Sequence, residues 1–218
     1  SFSYSFSNLF SILNGANIAS ESVLAPLEIL YWGTDMTQIR DILSKFGSVK
    51  MKTYPFTSVY YHKIYLRYFK GIKVHKLLNY INYEKQNAIN LLSELYPWKP
   101  YPQKHFESRF TKFFEGYWLP VRFGWDMRRI QFSSLILSNQ LTREEALKEL
   151  KKSPFNRETI NEDKKFICSK LGITLEELEN YKKLPKKYYF DYKNEKKIFD
   201  LGEKILSKLN GTRRGGFI

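Results

Sequence analysis

Apolar side chains return every three to four positions along most of this chain, the period of helices that each bury one face. Phe2, Phe6, Leu9, Phe10 and Leu13 predict an opening helix, ended by Asn14-Gly15. Next, ANIAS (16–20) is short and apolar enough for a buried strand, left by the chain at Glu21 and Ser22. Residues 23–36, with Pro26, Tyr31, Trp32 and Gly33, predict an irregular segment packed by its aromatics. A helix then starts at Asp35 or Thr37 and runs to Phe46, with Ile39, Ile42, Leu43 and Phe46 as its apolar stripe and Gly47 as its stop. Residues 77–96 predict another helix, and Pro97, Pro100 and Pro102 a rigid connector.

The densest pattern lies between Lys104 and Leu147. Phe106, Phe110, Phe113, Phe114 and Tyr117 predict one buried helix face, with Lys104, Glu107, Ser108, Arg109 and Lys112 on the other. Pro120 and Gly124 are expected to stop this helix, so that Arg122, Arg128 and Arg129 sit on or beside a loop. Guanidinium groups gathered in this way suit a phosphate or a carboxylate. IQFSSLILSNQL (130–141) predicts a buried helix, and Thr142 with Glu145 and Thr174 with Glu177 read as capping boxes that open two more. Helices over 161–171 and 198–209 complete the pattern, ahead of the tail GTRRGGFI.

Charge divides the chain. Its net charge is +14, yet residues 1–48 hold only Arg40 and Lys45 against four acidic side chains. The remainder, at +16, suggests a region that meets anions: nucleic acid, an acidic membrane surface or phosphorylated small molecules. Between Lys50 and Lys76 there are seven basic residues and no acidic one, interleaved with Tyr60, Tyr61, Tyr65, Tyr68 and Phe69. Such a run stacks bases and holds phosphates, lies on a membrane, or forms a helix with its Tyr and Ile residues inward. Cys168 reads as a small core residue, and His62, His75 and His105 lack metal-ligand spacing, so no metal is expected. No apolar run approaches the roughly 18 residues of a membrane span, and no secretory signal is visible, so the expected location is the cytoplasm.

The stretches NGANIASES, KHFESRFTKFFEGYWLPVRFGWDMRR, SSLILSNQLTREEAL and SKLGITLEELE resemble the C-terminal portion of the N-acetyl sugar amidotransferases. These belong to the PP-loop, or adenine-nucleotide α-hydrolase, superfamily, and the resemblance runs over about residues 11–192. It implies an ATP-dependent enzyme, with Mg expected, that converts an acetamido group on an activated sugar into an acetamidino group. The product would serve lipopolysaccharide or another surface polysaccharide, or glycosylated surface proteins such as flagellin. Ammonia would come from a separate glutaminase subunit. Lys104, His105, Glu107 and Ser108 match the family's KHxES segment, and Arg122, Asp126, Arg128 and Arg129 match its following bend. The resemblance implies catalytic roles for His105 and Glu107, and substrate or phosphate binding by Lys104, Ser108, Arg122, Arg128 and Arg129. Gly15, Asn17 and Glu21 would border the nucleotide site, whereas Asn17 and Ser20 would on the plainer reading only satisfy a turn. An internal salt-bridge network is the plainer role for Glu107, Arg109 and Arg129.

The family's Ser-Gly-Gly-x-Asp-Ser loop and cysteine-rich start do not occur in this sequence. The expectation is therefore a fragment or truncated member that cannot adenylate alone. It would be mainly α with a small α/β remnant: residues 1–55 close a PP-loop (HUP-like) α/β domain, 56–210 form a helical region, and 211–218 are a flexible tail. Two other readings stay open. One is a PP-loop-related tRNA-binding or tRNA-modifying protein, against which the lack of a recognised RNA-binding module argues; the other is a non-catalytic partner of a glutaminase.

Overall fold

Side-chain caps decide where many of the helices begin. Asp35, Ser108, Thr142 and Thr174 each accept a hydrogen bond from a first-turn N–H, and Thr142 and Thr174 complete reciprocal boxes with Glu145 and Glu177. A computed structural model describes residues 10–54, 58 and 60–210. Most of the expected opening helix, residues 2–9, and the tail 211–218 lie outside the described residues. The chain is mainly helical with a two-stranded parallel sheet, and it folds as two units.

The first unit takes the described residues of 1–13, 26–75 and 187–218. Here β1 (Ser11–Asn14) pairs with β2 (Lys73–Lys76). Residues 11–14 are therefore strand, where periodicity predicted the end of a helix. All four side chains of Ser11-Ile-Leu-Asn14 are exposed, so the segment has no buried stripe, and pairing with β2 supplies its backbone partners. Packed nearby in the sequence pattern, α2 (Met36–Phe46) begins as expected, but its buried side chains are polar. Asp35 receives the Tyr31 hydroxyl at 2.7 Å and the Glu195 N–H at 2.7 Å; Asp41 receives Lys45 Nζ and the Lys193 N–H. Burial, reinforced by Asp35, pushes the Tyr31 hydroxyl well above the usual phenol range. Ile39, Ile42 and Leu43 are only half-buried and Phe46 is exposed, which corrects the expected apolar stripe. Tyr31 stacks on Tyr189 at 4.8 Å, and Trp32 meets Phe199 of α9 (Lys196–Asn210) at 4.3 Å.

Tyr61–Phe69 is a π-helix. Most of its Tyr and Ile side chains do not point inward as one reading had it: Tyr61, Ile64 and Tyr68 are exposed, as is Phe69, Tyr65 is half-buried, and Tyr65 stacks on both Tyr61 and Phe69.

The second unit comprises residues 14–25 and 76–186. Residues 18–21 form α1 (Ile18–Glu21) instead of the expected strand, because the Asn17 side chain accepts the Ser20 N–H and hydroxyl and so caps a helical turn. The predicted helix over 77–96 is broken: a 3₁₀ turn (Leu77–Tyr80) precedes α3 (Lys85–Leu95). Gln140 holds the break open, accepting from the Lys85 N–H at 2.9 Å and donating to the Tyr83 carbonyl at 2.9 Å. A tertiary side chain has here overridden helix propensity.

Residues 104–107 form a turn, and α4 begins only at Arg109 (Arg109–Phe113). It continues as a π-helix, Phe114–Phe123, straight through Pro120. The wider register accommodates the proline that was expected to stop the helix, and Gly124, at φ 69°, ends it. Arg122 is thus helical, and Arg128 and Arg129 open α5 (Arg128–Leu137) instead of standing in a loop. Next come α6 (Arg143–Leu150), α7 (Ile160–Leu171) and α8 (Leu175–Tyr181).

Phe113, Tyr117, Ile160, Ile167, Cys168 and Leu178 form the core, with Trp118, Phe155, Phe166 and Ile173 against it. Phe110, expected on the buried face, is exposed. A Cβ at Gly116 would lie 3.0 Å from Phe106 Cζ and 3.2 Å from the Pro154 carbonyl, so glycine lets both press against the π-helix. Burial pushes the Cys168 thiol up, as befits a core residue. Among the described residues no helix is long and apolar enough to cross a membrane.

Candidate functional site

In the second unit, the break before α3, the proline connector, the turn at 104–107 and the loop after α6 leave a cleft of about 1010 Å³. That is the upper end of the roughly 300–1,000 Å³ of small-molecule sites. Its aromatic lining is Tyr83, Trp98, Tyr101, Phe106, Phe132 and Phe155. Its ionisable lining mixes signs: Lys85, Lys104, Lys112, Arg128 and His105 with Glu21, Glu107, Glu149 and Asp163. Stacking faces beside charges of both signs suit a ligand with a flat apolar face and anionic groups.

Most of these charges are already paired. Lys104 forms an ion pair with Glu21, which joins the KHxES turn to α1. Lys112 reaches Asp163 Oδ2 at 2.8 Å and Arg109 Nε reaches Oδ1 at 2.8 Å, tying α4 to α7. Burial works against the Asp163 carboxylate, but the bonds from Lys112 and Arg109 outweigh it and hold the group below the usual carboxylate range. Arg109 therefore belongs to an internal network, as its plainer reading had it.

Arg128, expected to neutralise phosphate, spends its donors inside the protein. It grips Asp126 through Nε and Nη2, the latter at 2.6 Å, and donates to the carbonyls of Glu149 at 3.1 Å and Lys152 at 2.8 Å. It thereby caps the C-terminal end of α6. Arg122 donates to the carbonyls of Leu184 and Pro185 and lies over Trp118 and Phe123, away from the cleft lining. Arg129 is exposed and outside that lining, and Ser108 caps α4. Asn17 caps α1, the turn-satisfying role, and around Gly15 there is open space within 4 Å. Of the expected site residues, the structure brings Lys104, His105, Glu107, Arg128 and Glu21 to one cleft.

His105 is the strained member, a non-glycine residue at φ 67°. Its Nδ1 lies 3.3 Å from Glu115 Oε1, and Glu115 is buried in the π-helix with Oε2 lacking a partner. Glu115 escaped sequence reasoning, because a glutamate on an aromatic helix face reads as solvated. Glu107 is exposed at the cleft. Lys85 and Tyr83 were also missed. Burial, with Lys104 adding to it, holds the Lys85 amine below the usual lysine range, while burial and the Glu21 charge push the Tyr83 hydroxyl up. Gln103, in the same lining, has a buried amide nitrogen without an acceptor. Among the described residues no three of His, Cys, Asp and Glu converge to hold a metal ion.

The geometry defines a helical unit with an aromatic, mixed-charge cleft. Residues 107–206 match the family model described as LPS biosynthesis protein WbpG-like, C-terminal domain. Over this stretch the chain is similar to the C-terminal domain of that LPS-biosynthesis family, which is consistent with the C-terminal portion expected from the sequence. No curated protein and no solved structure matches the chain.

Proposed function

We propose that the chain is the C-terminal part of an ATP-dependent N-acetyl sugar amidotransferase, with the cleft receiving the activated sugar whose acetamido group becomes acetamidino. The product would enter lipopolysaccharide or another surface glycan, and the reaction would run in the cytoplasm with a glutaminase subunit delivering ammonia. The observation that carries this reading is the turn at 104–107. It puts a strained imidazole, backed by a buried carboxylate, into an aromatic cleft at the edge of the WbpG-like match.

The chemistry suits those residues. When the ammonia lone pair bonds to the activated amide carbon, nitrogen becomes cationic and must lose a proton as the carbon–oxygen bond breaks. His105, with Nδ1 held by Glu115, has Nε2 available as the acceptor, and Glu115 steadies the imidazolium that results. Glu107 orients the incoming ammonia or a sugar hydroxyl. The aromatic lining stacks on the sugar ring. Nucleotide activation is another matter. Among the described residues, no glycine-rich amide cradle for pyrophosphate follows β1, and Asn14 turns back on the Ala16 N–H. No adenylation step is assigned to these residues.

The complete enzyme, given ATP, an ammonia source and a nucleotide-linked acetamido sugar, should form a product in which mass spectrometry finds the acetamido oxygen replaced by NH. His105→Ala should lower kcat by about 10²-fold or more and leave KM nearly unchanged. Unimpaired turnover by His105→Ala removes the assigned base; absence of any amidine from the complete enzyme removes the function.

A further inference from the structure

Lys85 opens α3 half-buried in the cleft wall. Its position is fixed from a distance, since its N–H is held by Gln140 Oε1 at 2.9 Å. Its ammonium has no ion pair among the described residues, although the cleft contains four carboxylates. The charge that acts on it is another cation, Lys104, whose own ammonium is engaged by Glu21. Folding has moved a cation partly out of water and beside a second cation without supplying a counter-ion. That arrangement is unfavourable by itself and becomes favourable when a ligand brings negative charge. Two residues earlier, Tyr83 faces the same cleft. Its hydroxyl, kept protonated by burial and by Glu21, is a donor for an anionic oxygen.

We propose that Lys85, together with Lys104 and Tyr83, forms a diphosphate-binding subsite of the cleft. The diphosphate is that of the activated sugar, an assignment that rests on the function proposed above. Free pyrophosphate has the same chemistry and would engage the same three groups. Binding supplies the counter-charge that the Lys85 ammonium lacks.

Isothermal titration of the full chain with inorganic pyrophosphate and, separately, with UDP-N-acetylglucosamine tests the subsite. The wild-type chain should bind both. Tighter binding of the nucleotide sugar identifies the donor as the source of the diphosphate; tighter binding of pyrophosphate assigns the same subsite to the free ion. Lys85→Met, which keeps the apolar stem and removes the charge, should weaken both ligands by about tenfold or more. Its melting temperature should equal or exceed that of the wild type, because an unpaired cation has left a half-buried place. Equal affinities in Lys85→Met and wild type, or no binding of either ligand by the wild type, would overturn the subsite. So would lost affinity accompanied by a lowered melting temperature, which marks a structural lysine. If the complete enzyme makes no amidine while Lys85→Met still loses pyrophosphate, the function fails and the subsite stands.

Discussion

Arg128→Met should destabilise the second unit by about 3–5 kcal/mol, read as a lowered urea midpoint. Arg128 is 8% exposed, and its guanidinium bonds at once to Asp126 and to the carbonyls of Glu149 and Lys152. Its removal leaves the partly buried Asp126 carboxylate with only the backbone N–H of residue 128, and it takes a charged donor from the Glu149 and Lys152 carbonyls, the first of which keeps the Lys152 N–H. Arg128→Met combined with Asp126→Asn should recover part of the loss, because the second change removes the uncompensated charge. A residue held free for phosphate would behave in the opposite way, with unchanged stability and a raised KM.

Asp163→Asn should cost about 1–3 kcal/mol at neutral pH and alter the acid limb of unfolding. Asp163 is 4% exposed, and its carboxyl receives both Arg109 and Lys112, whose own partial exposure sets the lower end of that range. Its pKa is depressed in the folded protein despite burial, through the bonds from Lys112 and Arg109. The stabilisation is therefore complete above the unfolded carboxyl value of about 3.9 and is lost as pH falls through the lower folded value. Urea midpoints should drop steeply for the wild type in that acid window and less so for Asp163→Asn. Parallel acid limbs would show that the α4–α7 bridge contributes little.

Some helix starts in this chain were legible from a local device, although the caps at Asn17 and Ser108 were not. Thr142-x-x-Glu145 and Thr174-x-x-Glu177 cap the helices their spacing predicts, and Asp35 and Gly47 bound α2 as expected. Two other errors arose where groups distant in sequence decide. Gln140 splits the 77–96 helix, and pairing with β2 turns residues 11–14 into a strand. A proline inside a helical pattern ordinarily signals a stop, and the π register around Pro120 has no period that a sequence displays.

The candidate site was legible as a neighbourhood more than as a set of roles. The KHxES turn marked the cleft edge, and Lys104, His105 and Glu107 do line it. The arginines misled because a guanidinium that binds phosphate and one that caps a helix look alike in a sequence; only the partners of Arg122 and Arg128 separate them. Glu115, Tyr83 and Lys85 stayed hidden for a related reason. Each takes its character from burial or from a neighbour remote in sequence: Glu115 from the π-helix wall, Tyr83 from Glu21, and Lys85 from Lys104.

The claim that the second-unit cleft holds the acetamido sugar is tested most directly by nuclear Overhauser contacts from the acetamido methyl protons of bound UDP-N-acetylglucosamine. The account predicts contacts to ring protons of Phe106, Phe132 or Phe155 in the cleft. Contacts confined to Tyr61, Tyr65 and Phe69, the stacked surface aromatics of the first unit, would contradict it.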